Sequence, residues 1–452
     1  MTSAHNSLNL PQALGDGLLL RLATPDDIEA VADFNARFLP DEDESPEPLK
    51  IWTRDLMSGL HPTTSVSDFV VAEDTNAHQI VSSMCLIPQA WVYEDITIPV
   101  GRPELVCTDP AYRRQGLVRS AFEVIHALSG AYGHLVQGVT GIPWFYRQFD
   151  YEYALPLGGY RDLNVNDVPS LKEGETEPYQ TRPPSEEDIP TLMRLYQRQC
   201  AGKLVTTHID EDWWRYDLSG RTRGSDLEYR AHLILDEEEC PVGYYSTPAR
   251  VHGSHLRVWE LAVEAETSLR AVLPTVLRAL KAQGEAYVTA AGARSEENNL
   301  TSIRLFLGLQ HPGYDILDAQ LGPLRRPYAW YVRVPDVPRF IRHVAPVLER
   351  RLAASVMSGF TGELNITFYQ SGLHLAFENG RLIRATDWSA PDTDERWNGA
   401  GFPPLVFLQL LFGYRSLEEL RHAFPDCWAD EEPRLLLNAL FPKHASWVVP
   451  LG

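Results

Sequence analysis

Apolar residues recur along much of the chain at the spacing of an α-helix. Ile28, Val31, Phe34 and Phe38 follow a polar start, Thr24-Pro-Asp-Asp27. Thr24 can cap such a helix, and carboxylates in its first turn favour the positive end of its dipole. Val118, Ala121, Phe122, Ile125 and Leu128 give a second helix one apolar face. Ile341, Val344, Val347, Leu348 and Leu352 predict a third over 340–357, and 404–411 reads as a further apolar helix. Other segments alternate instead. Residues 105–108 read as a strand, and 363–369, 373–378 and 381–385 read as three more, with tight turns at Gly372 and Asn379-Gly380. Helices and strands therefore interleave, which predicts an α/β (α+β) chain.

One pattern occurs twice. Arg21 to Val31 (R-L-A-T-P-D-D-I-E-A-V) matches Arg182 to Leu192 (R-P-P-S-E-E-D-I-P-T-L) at an offset of 182 − 21 = 161 residues. Arg, Asp27/Asp188, Ile28/Ile189 and Val31/Leu192 correspond, with Thr24 and Ser185 as caps. A duplicated domain accounts for this, and so does the general similarity of helix starts. Residues 164–184 are rich in Pro, Glu and Ser and read as a linker, while Val334 to Pro338 breaks the pattern again. The expected units are 18–165, 180–333 and 334–452. Residues 1–17 read as a loose arm, and the acidic runs 41–44 and 236–239 as solvated loops.

Composition narrows the function. A length of 452 residues suits roughly three domains. Hydrophobic residues at 44% and charged residues at 22% exclude a disordered or fibrous chain. Asp plus Glu exceed Lys plus Arg by 61 to 40, a formal charge of −21. That excess repels nucleic-acid phosphates and anionic membranes, so neither is an expected partner. It suits a cationic small substrate, although solubility alone would also explain it. Cys85, Cys107, Cys200, Cys240 and Cys427 form no C-x-x-C pair, which argues against a zinc site or a disulfide framework and for a reducing, cytoplasmic setting. No metal is expected. Residues 1–17 lack the basic start and apolar centre of a signal peptide, and no apolar run approaches the ~20 residues of a membrane helix. Phosphate-loop, zinc-protease and nucleophile-elbow motifs are absent.

The segment from Glu104 to Arg119 carries the chemistry. A strand gives way to a turn at Asp109-Pro110, then to Arg113, Arg114 and Gly116, then to a helix. Unpaired N–H groups at a helix start attract anions, and glycine admits a close approach of ligand to backbone. A plain strand-to-helix turn is the alternative, but arginines at a helix start oppose its dipole unless an anion sits there.

These residues, with the preceding Val106 and Pro110-Ala-Tyr-Arg113, resemble the acyl-CoA loop of the GNAT acetyltransferases. Arg113-Arg-Gln-Gly-Leu-Val-Arg119 looks especially like the enhanced intracellular survival (Eis) family of N-acetyltransferases. The resemblance runs from about residue 18 to the end. It implies two tandem GNAT-like mixed-sheet domains followed by a smaller sterol-carrier-protein-like α/β domain. It implies acetyl-CoA as co-substrate, held by the backbone of Val106, Cys107 and Thr108. Arg114, Gln115, Gly116, Leu117, Val118 and Arg119 would cradle the pyrophosphate, and Gly141 and Ile142 would touch another part of CoA. Val118 replaces a smaller residue common among GNAT proteins. The stretch from Ile142 to Tyr153 resembles the family's I-Y-x-x-F-G-Y segment, with Tyr146 in the place of the catalytic tyrosine. It departs in Pro143-Trp144 and in Asp150 where the family has Gly. Most of its aromatic side chains must be core. Chemistry supports Tyr146 separately: a phenol near pKa ~10 keeps its proton at neutral pH and can pass it to a leaving thiolate of ~8.5.

The tail from Leu440 to Gly452 resembles the family's ending, with Trp447 five residues before the terminus. There the terminal carboxylate reaches the first active site as general base, which gives Gly452 that role. It either accepts the amine's proton directly or binds the ammonium and works through water. The last side chain should matter little. In the second unit, Trp259 to Arg270 lacks R-R-x-G and holds three glutamates, so it reads as a degenerate copy. The resulting expectation is transfer of acetyl to a primary amine of a cationic acceptor (polyamine, aminoglycoside or lysine side chain) in one ternary complex. Homo-oligomers, hexamers among them, are common in the family. The alternatives are a non-catalytic acyl-CoA or lipid-binding scaffold with a decayed GNAT site, and an assembly module.

Overall fold

The computed structural model describes residues 8–40, 44–290, 299–390 and 398–452. It is a mixed α/β structure built around a nine-stranded sheet. That sheet runs in the order Gln12–Gly15, Leu18–Leu22, Phe69–Asp74, Gln79–Tyr93, Ile96–Thr108, Val136–Val139, Tyr328–Arg333 and Glu152–Leu157, with Val205–Thr207 added to Gln79–Tyr93. The sheet thus takes strands from distant parts of the chain. Tyr328–Arg333 lies between Val136–Val139 and Glu152–Leu157. In exchange Arg161–Asn164 pairs with Ser302–Leu305 in a neighbouring sheet.

The helix Ile28–Phe38 packs Val31 against Leu56 and Phe69, and Leu117–Ala131 buries Leu117, Phe122, Ile125 and Leu128 in a separate cluster. Both copies of the repeated pattern fold alike. Arg21 grips Asp27 at 2.7 and 2.8 Å, and Arg182 grips Asp188 at the same two distances. Asp27 Oδ2 accepts from the N–H of Thr24 and Asp188 Oδ2 from that of Ser185, each at 2.7 Å. Each guanidinium holds its carboxyl down at about 2. The matched residues are therefore the cap machinery of two equivalent strand-to-helix turns.

Beyond residue 337 a five-stranded sheet (Arg381–Asp387, Gly372–Glu378, Gly362–Thr367, Gly399–Gly401, Trp428–Ala429) is covered by short helices. Its core is continuous with Trp91, Ile98, Val100 and Trp330 of the first sheet. This region and the first are therefore one packed body.

Four expectations change. Residues 12–15 are not part of a loose arm: they form an edge strand, and Leu8, Leu10 and Leu14 pack on the core. Residues 1–7 of that arm, and 41–43 of the first acidic run, lie outside the described residues. The helix over 340–357 divides into Val337–His343 and Ala345–Ala353, because Pro346 cannot continue the ladder of a helix through it. The helix within 404–411 covers only Phe407–Leu411. Gly372 is not a turn residue but the first of its strand, where a Cβ would come within 2.6 Å of the Ile366 carbonyl. The second acidic run makes the turn between Tyr229–Leu235 and Pro241–Pro248, as expected. Among the described residues no helix is long and apolar enough to cross a membrane.

Candidate active site

Ile96–Thr108 and Val136–Val139 run parallel but pair at only two positions, Val100 with Val136 and Gly101 with Gln137. Beyond them the strands part. A bulge reinforces the parting: Leu105 has φ +53°, and the ladder to Gln79–Tyr93 slips between Ser83 and Cys85. Val106, Cys107 and Thr108 follow this bulge. The Cys107 side chain is buried, and burial pushes its thiol up to about 12. The Ser82 hydroxyl ties down Thr108 at 2.9 Å.

At the end of this strand Asp109 Oδ1 accepts from the N–H of Ala111 at 2.8 Å and turns the chain. Arg114 and Gly116 take left-handed conformations, φ +66° and +81°. Gly116 is the N-cap of Leu117–Ala131 and, lacking a side chain, caps nothing. The first hydrogen bond of that helix is Ser120 N–H to Gly116 O, at 3.0 Å. The amides before it face outward without helical partners. Nothing lies within 4 Å of a Cβ built on Gly116, so an anion could approach. Arg113, Arg114, Gln115 and Arg119 are exposed around it; Leu117 is buried and Val118 half-buried.

Arg119 ties this loop to the aromatic segment. Its guanidinium donates to Gln148 at 3.3 Å and lies over Phe149, which stacks on Phe122 at 4.3 Å. Tyr146 is buried in that cluster, edge-on to Phe122 and Tyr331. A Cβ on Gly141 would stand 3.6 Å from Tyr146 Oη, so the hydroxyl abuts open main chain. Burial, with the Glu104 carboxylate nearby, raises the phenol above its ordinary range. Ile142 is exposed, and so is Trp144, with Arg147 over its ring at 4.3 Å. Trp144 is therefore surface rather than core.

The tail reaches the first sheet. The N–H of Trp447 donates to Val205 O at 2.8 Å, and Val449 exchanges two bonds with Thr207 Oγ1. Leu451 O accepts from Gln89 at 2.7 Å and from Arg102, both on the first sheet. Gly452 is buried, and its carbonyl oxygen accepts from Arg221 Nη1 at 2.5 Å. A Cβ there would stand 2.8 Å from both Trp52 and Leu227, so a larger last residue would require these side chains to shift. Among the described contacts none joins Gly452 to Tyr146 directly. Arg102, ion-paired with Glu104, stands between the tail and the tyrosine.

The sequence reading did not single out Gln89, Arg102, Arg221 or Glu260. Arg102 and Glu104 had a signal: two charges at i and i+2, hence on one face, inside an apolar strand. Arg221 and Glu260 had none, since only the tertiary fold brings them to the tail.

Residues 20–154 match the sequence model of an acetyltransferase (GNAT) domain. No curated protein matches the chain. Among solved structures, a GCN5-related N-acetyltransferase from Kribbella flavida superposes with a TM-score of 0.63 at 17% identity, over 97% of this chain and 99% of that one. A probable N-acyltransferase from Enterococcus faecalis gives 0.64 at 13%, over 95% and 97%. Eis1 from Mycobacterium abscessus gives 0.56 at 13%, over 95% and 98%. At such identities the likeness is one of fold.

Proposed function

We propose that this protein transfers acetyl from acetyl-CoA to a primary amine of a cationic acceptor, directly, in a ternary complex. The observation that carries the reading is the open N-terminus of Leu117–Ala131, standing where two parallel strands part and leading through Arg119 to a buried tyrosine. The amides around Gly116 bind the pyrophosphate, with Arg114, Gln115, Leu117, Val118 and Arg119 around it. The backbone at Val106, Cys107 and Thr108 aligns the thioester arm in the parting. Gly141 and Ile142 complete the wall beside Tyr146.

As the amine attacks the thioester carbonyl, the C–N bond forms, the C–S bond breaks and the electron pair leaves on sulfur. Tyr146 protonates that sulfur. Its raised pKa keeps the phenol protonated, and so available as a donor, across the neutral range. The Gly452 carboxylate already engages Arg221, so it suits holding the ammonium and relaying its proton through water better than bare proton abstraction. Asp217, ion-paired with Arg221, and Glu260 flank the small pocket beside Gly452, and together with the terminal carboxylate they favour a cationic acceptor. The second unit acts as a degenerate GNAT copy that walls this pocket, and the third, sterol-carrier-protein-like unit delivers the tail.

The test is release of CoA thiol from acetyl-CoA in the presence of spermidine, an aminoglycoside or a lysine peptide. Turnover with any of these supports the reading. Binding of acetyl-CoA without turnover would favour the non-catalytic scaffold instead.

A further inference from the structure

A groove of about 940 Å³ lies on the far side of the tail, where all three regions meet. It is lined by the end of the first sheet at Pro156 and Gly158, by the 198–203 and 307–312 segments, by 413–415, and by tail residues 443–449. None of the residues assigned above to acetyl-CoA or to proton transfer lines it. Its size is that of a site for a sizeable organic ligand.

The charge of its wall is opposite to that of the protein. Across the chain acids outnumber bases by 61 to 40. In this wall Arg198, Lys203, Arg326, Arg415 and Lys443 face one carboxylate, Glu419. Glu419 is engaged by Lys443 at 2.5 Å. Arg198 donates Nε–H to the Val263 carbonyl at 2.6 Å. Among the described residues, Arg198, Lys203, Arg326 and Arg415 make no ion pair. Unpaired cations gathered in a concavity attract an anion strongly, because low-dielectric walls focus their field. Between them the wall is apolar and flat: Trp259, Leu307, Leu309 and Trp447. Trp447 is more than nine-tenths buried, yet its indole N–H has no acceptor, and the Gln199 amide oxygen in the same wall has no donor. Buried polar atoms of this kind ordinarily have partners.

We infer that this groove is a second ligand site, built for an organic anion with a phosphate or carboxylate head and an aromatic or aliphatic body. The head is held by Lys203, Arg326 and Arg415, and the body lies on Trp259 and Trp447. The site is independent of the acetyl-transfer reading and stands or falls on its own measurement.

Calorimetric titration of the full-length protein with 1-naphthyl phosphate tests it, with 1-naphthylmethylamine as the opposite charge on a matched body. The phosphate should bind with Kd below about 1 mM and the amine should not. The double variant Arg326→Glu, Arg415→Glu should weaken the phosphate at least roughly tenfold while keeping the wild-type melting temperature. Should that variant fail to fold, Arg326→Ala, at an exposed position, should still weaken binding by about threefold. Saturating CoA should not displace the probe. Absence of binding at millimolar concentration, equal binding of the amine, unchanged affinity in the variants or full displacement by CoA would each overturn the inference.

Discussion

Two parallel strand pairs in this molecule begin alike and end differently. In the first, Ile96–Thr108 leaves Val136–Val139 after Gly101 and Gln137, and the next residues are Arg102 and Gly138. In the second, His255–Val258 leaves Ser302–Leu305 after Val258 and Leu305, and the next residues are Trp259 and Phe306. Those two rings stack at 4.7 Å, with 18° between their planes, across the parting. The second parting is therefore bridged by stacked rings, and the first is not: there Arg102 pairs with Glu104 and Gly138 lies against Trp91. The helices that follow differ in the same sense. Leu117–Ala131 starts on a bare glycine, whereas Leu269–Ala290 has the Ser268 hydroxyl accepting from the Ala271 N–H at 3.3 Å. The second start also carries Glu264, paired with Arg194, and Glu266, where the first carries arginines. A shared frame thus leaves its helix-start amides without a side-chain cap in one place and caps them in the other. Function follows from what is left unsatisfied.

Removing the proposed proton donor should have the largest effect. Tyr146→Phe should lower kcat about a hundredfold, the range of general-acid contributions, while the Kd for acetyl-CoA changes less than about twofold. Steady-state thiol release beside equilibrium binding separates the two. Because burial raises this phenol, the wild-type rate should show no loss from its ionisation up to pH 10. Wild-type turnover in the variant would remove Tyr146 from the mechanism.

The filled side is broken next. Trp259→Leu removes the ring stack and should cost roughly 2 kcal/mol in chemical denaturation. The comparison predicts that acetyl-CoA stoichiometry stays at one per chain, because the second helix start remains capped and acidic. A second bound equivalent would show that the stacked rings alone had closed that site.

At the loop itself, Gly116→Val places a branched side chain at φ +81° and a methyl group where the proposed pyrophosphate would approach. Affinity for acetyl-CoA should fall by about tenfold, read by titration, and the melting temperature should fall as well, since a branched side chain at this positive φ is strained although nothing lies within 4 Å to clash. Unchanged affinity would detach the phosphate from this cap.

Much of this contrast is written in local sequence. Gly116 between arginines and helix-forming residues is a local signal, and so is the Arg…Asp cap that recurs after 161 residues. Such signals are legible because their partners lie within a few positions. The strand exchange is not legible: Tyr328–Arg333 reads as a strand anywhere, and only the register with Val136–Val139 and Glu152–Leu157 places it in the first sheet. Trp259 and Phe306, 47 residues apart, are invisible as a stack for the same reason. The fit of Gly452 between Trp52 and Leu227 is likewise a property of three distant segments.

The smallest expected effect concerns the residue beside the filled parting. Glu260 is buried on the second unit's strand, near the hydroxyls of Ser246 and Tyr244, with Asp217, itself ion-paired with Arg221, as its nearest charge. Burial raises its carboxyl to about 7. In the unfolded chain it ionises at the ordinary glutamate value of about 4.5. Between these values the folded state holds a proton that the unfolded state has lost. The contribution of Glu260 to stability is therefore greatest below pH 4.5, falls as pH rises toward and through about 7, and is lost above it. Taken whole, the shift corresponds to about 3 kcal/mol, and local relaxation reduces it. Glu260→Gln abolishes the titration. Relative to wild type, the variant should gain at least about 1 kcal/mol more at pH 8 than at pH 5, measured by urea denaturation at both values. The opposite sign would mean that Glu260 is ionised in the folded protein. It would then offer a permanent negative charge opposite Asp217, and the second unit would hold the acceptor's ammonium by charge at every working pH rather than only above neutrality.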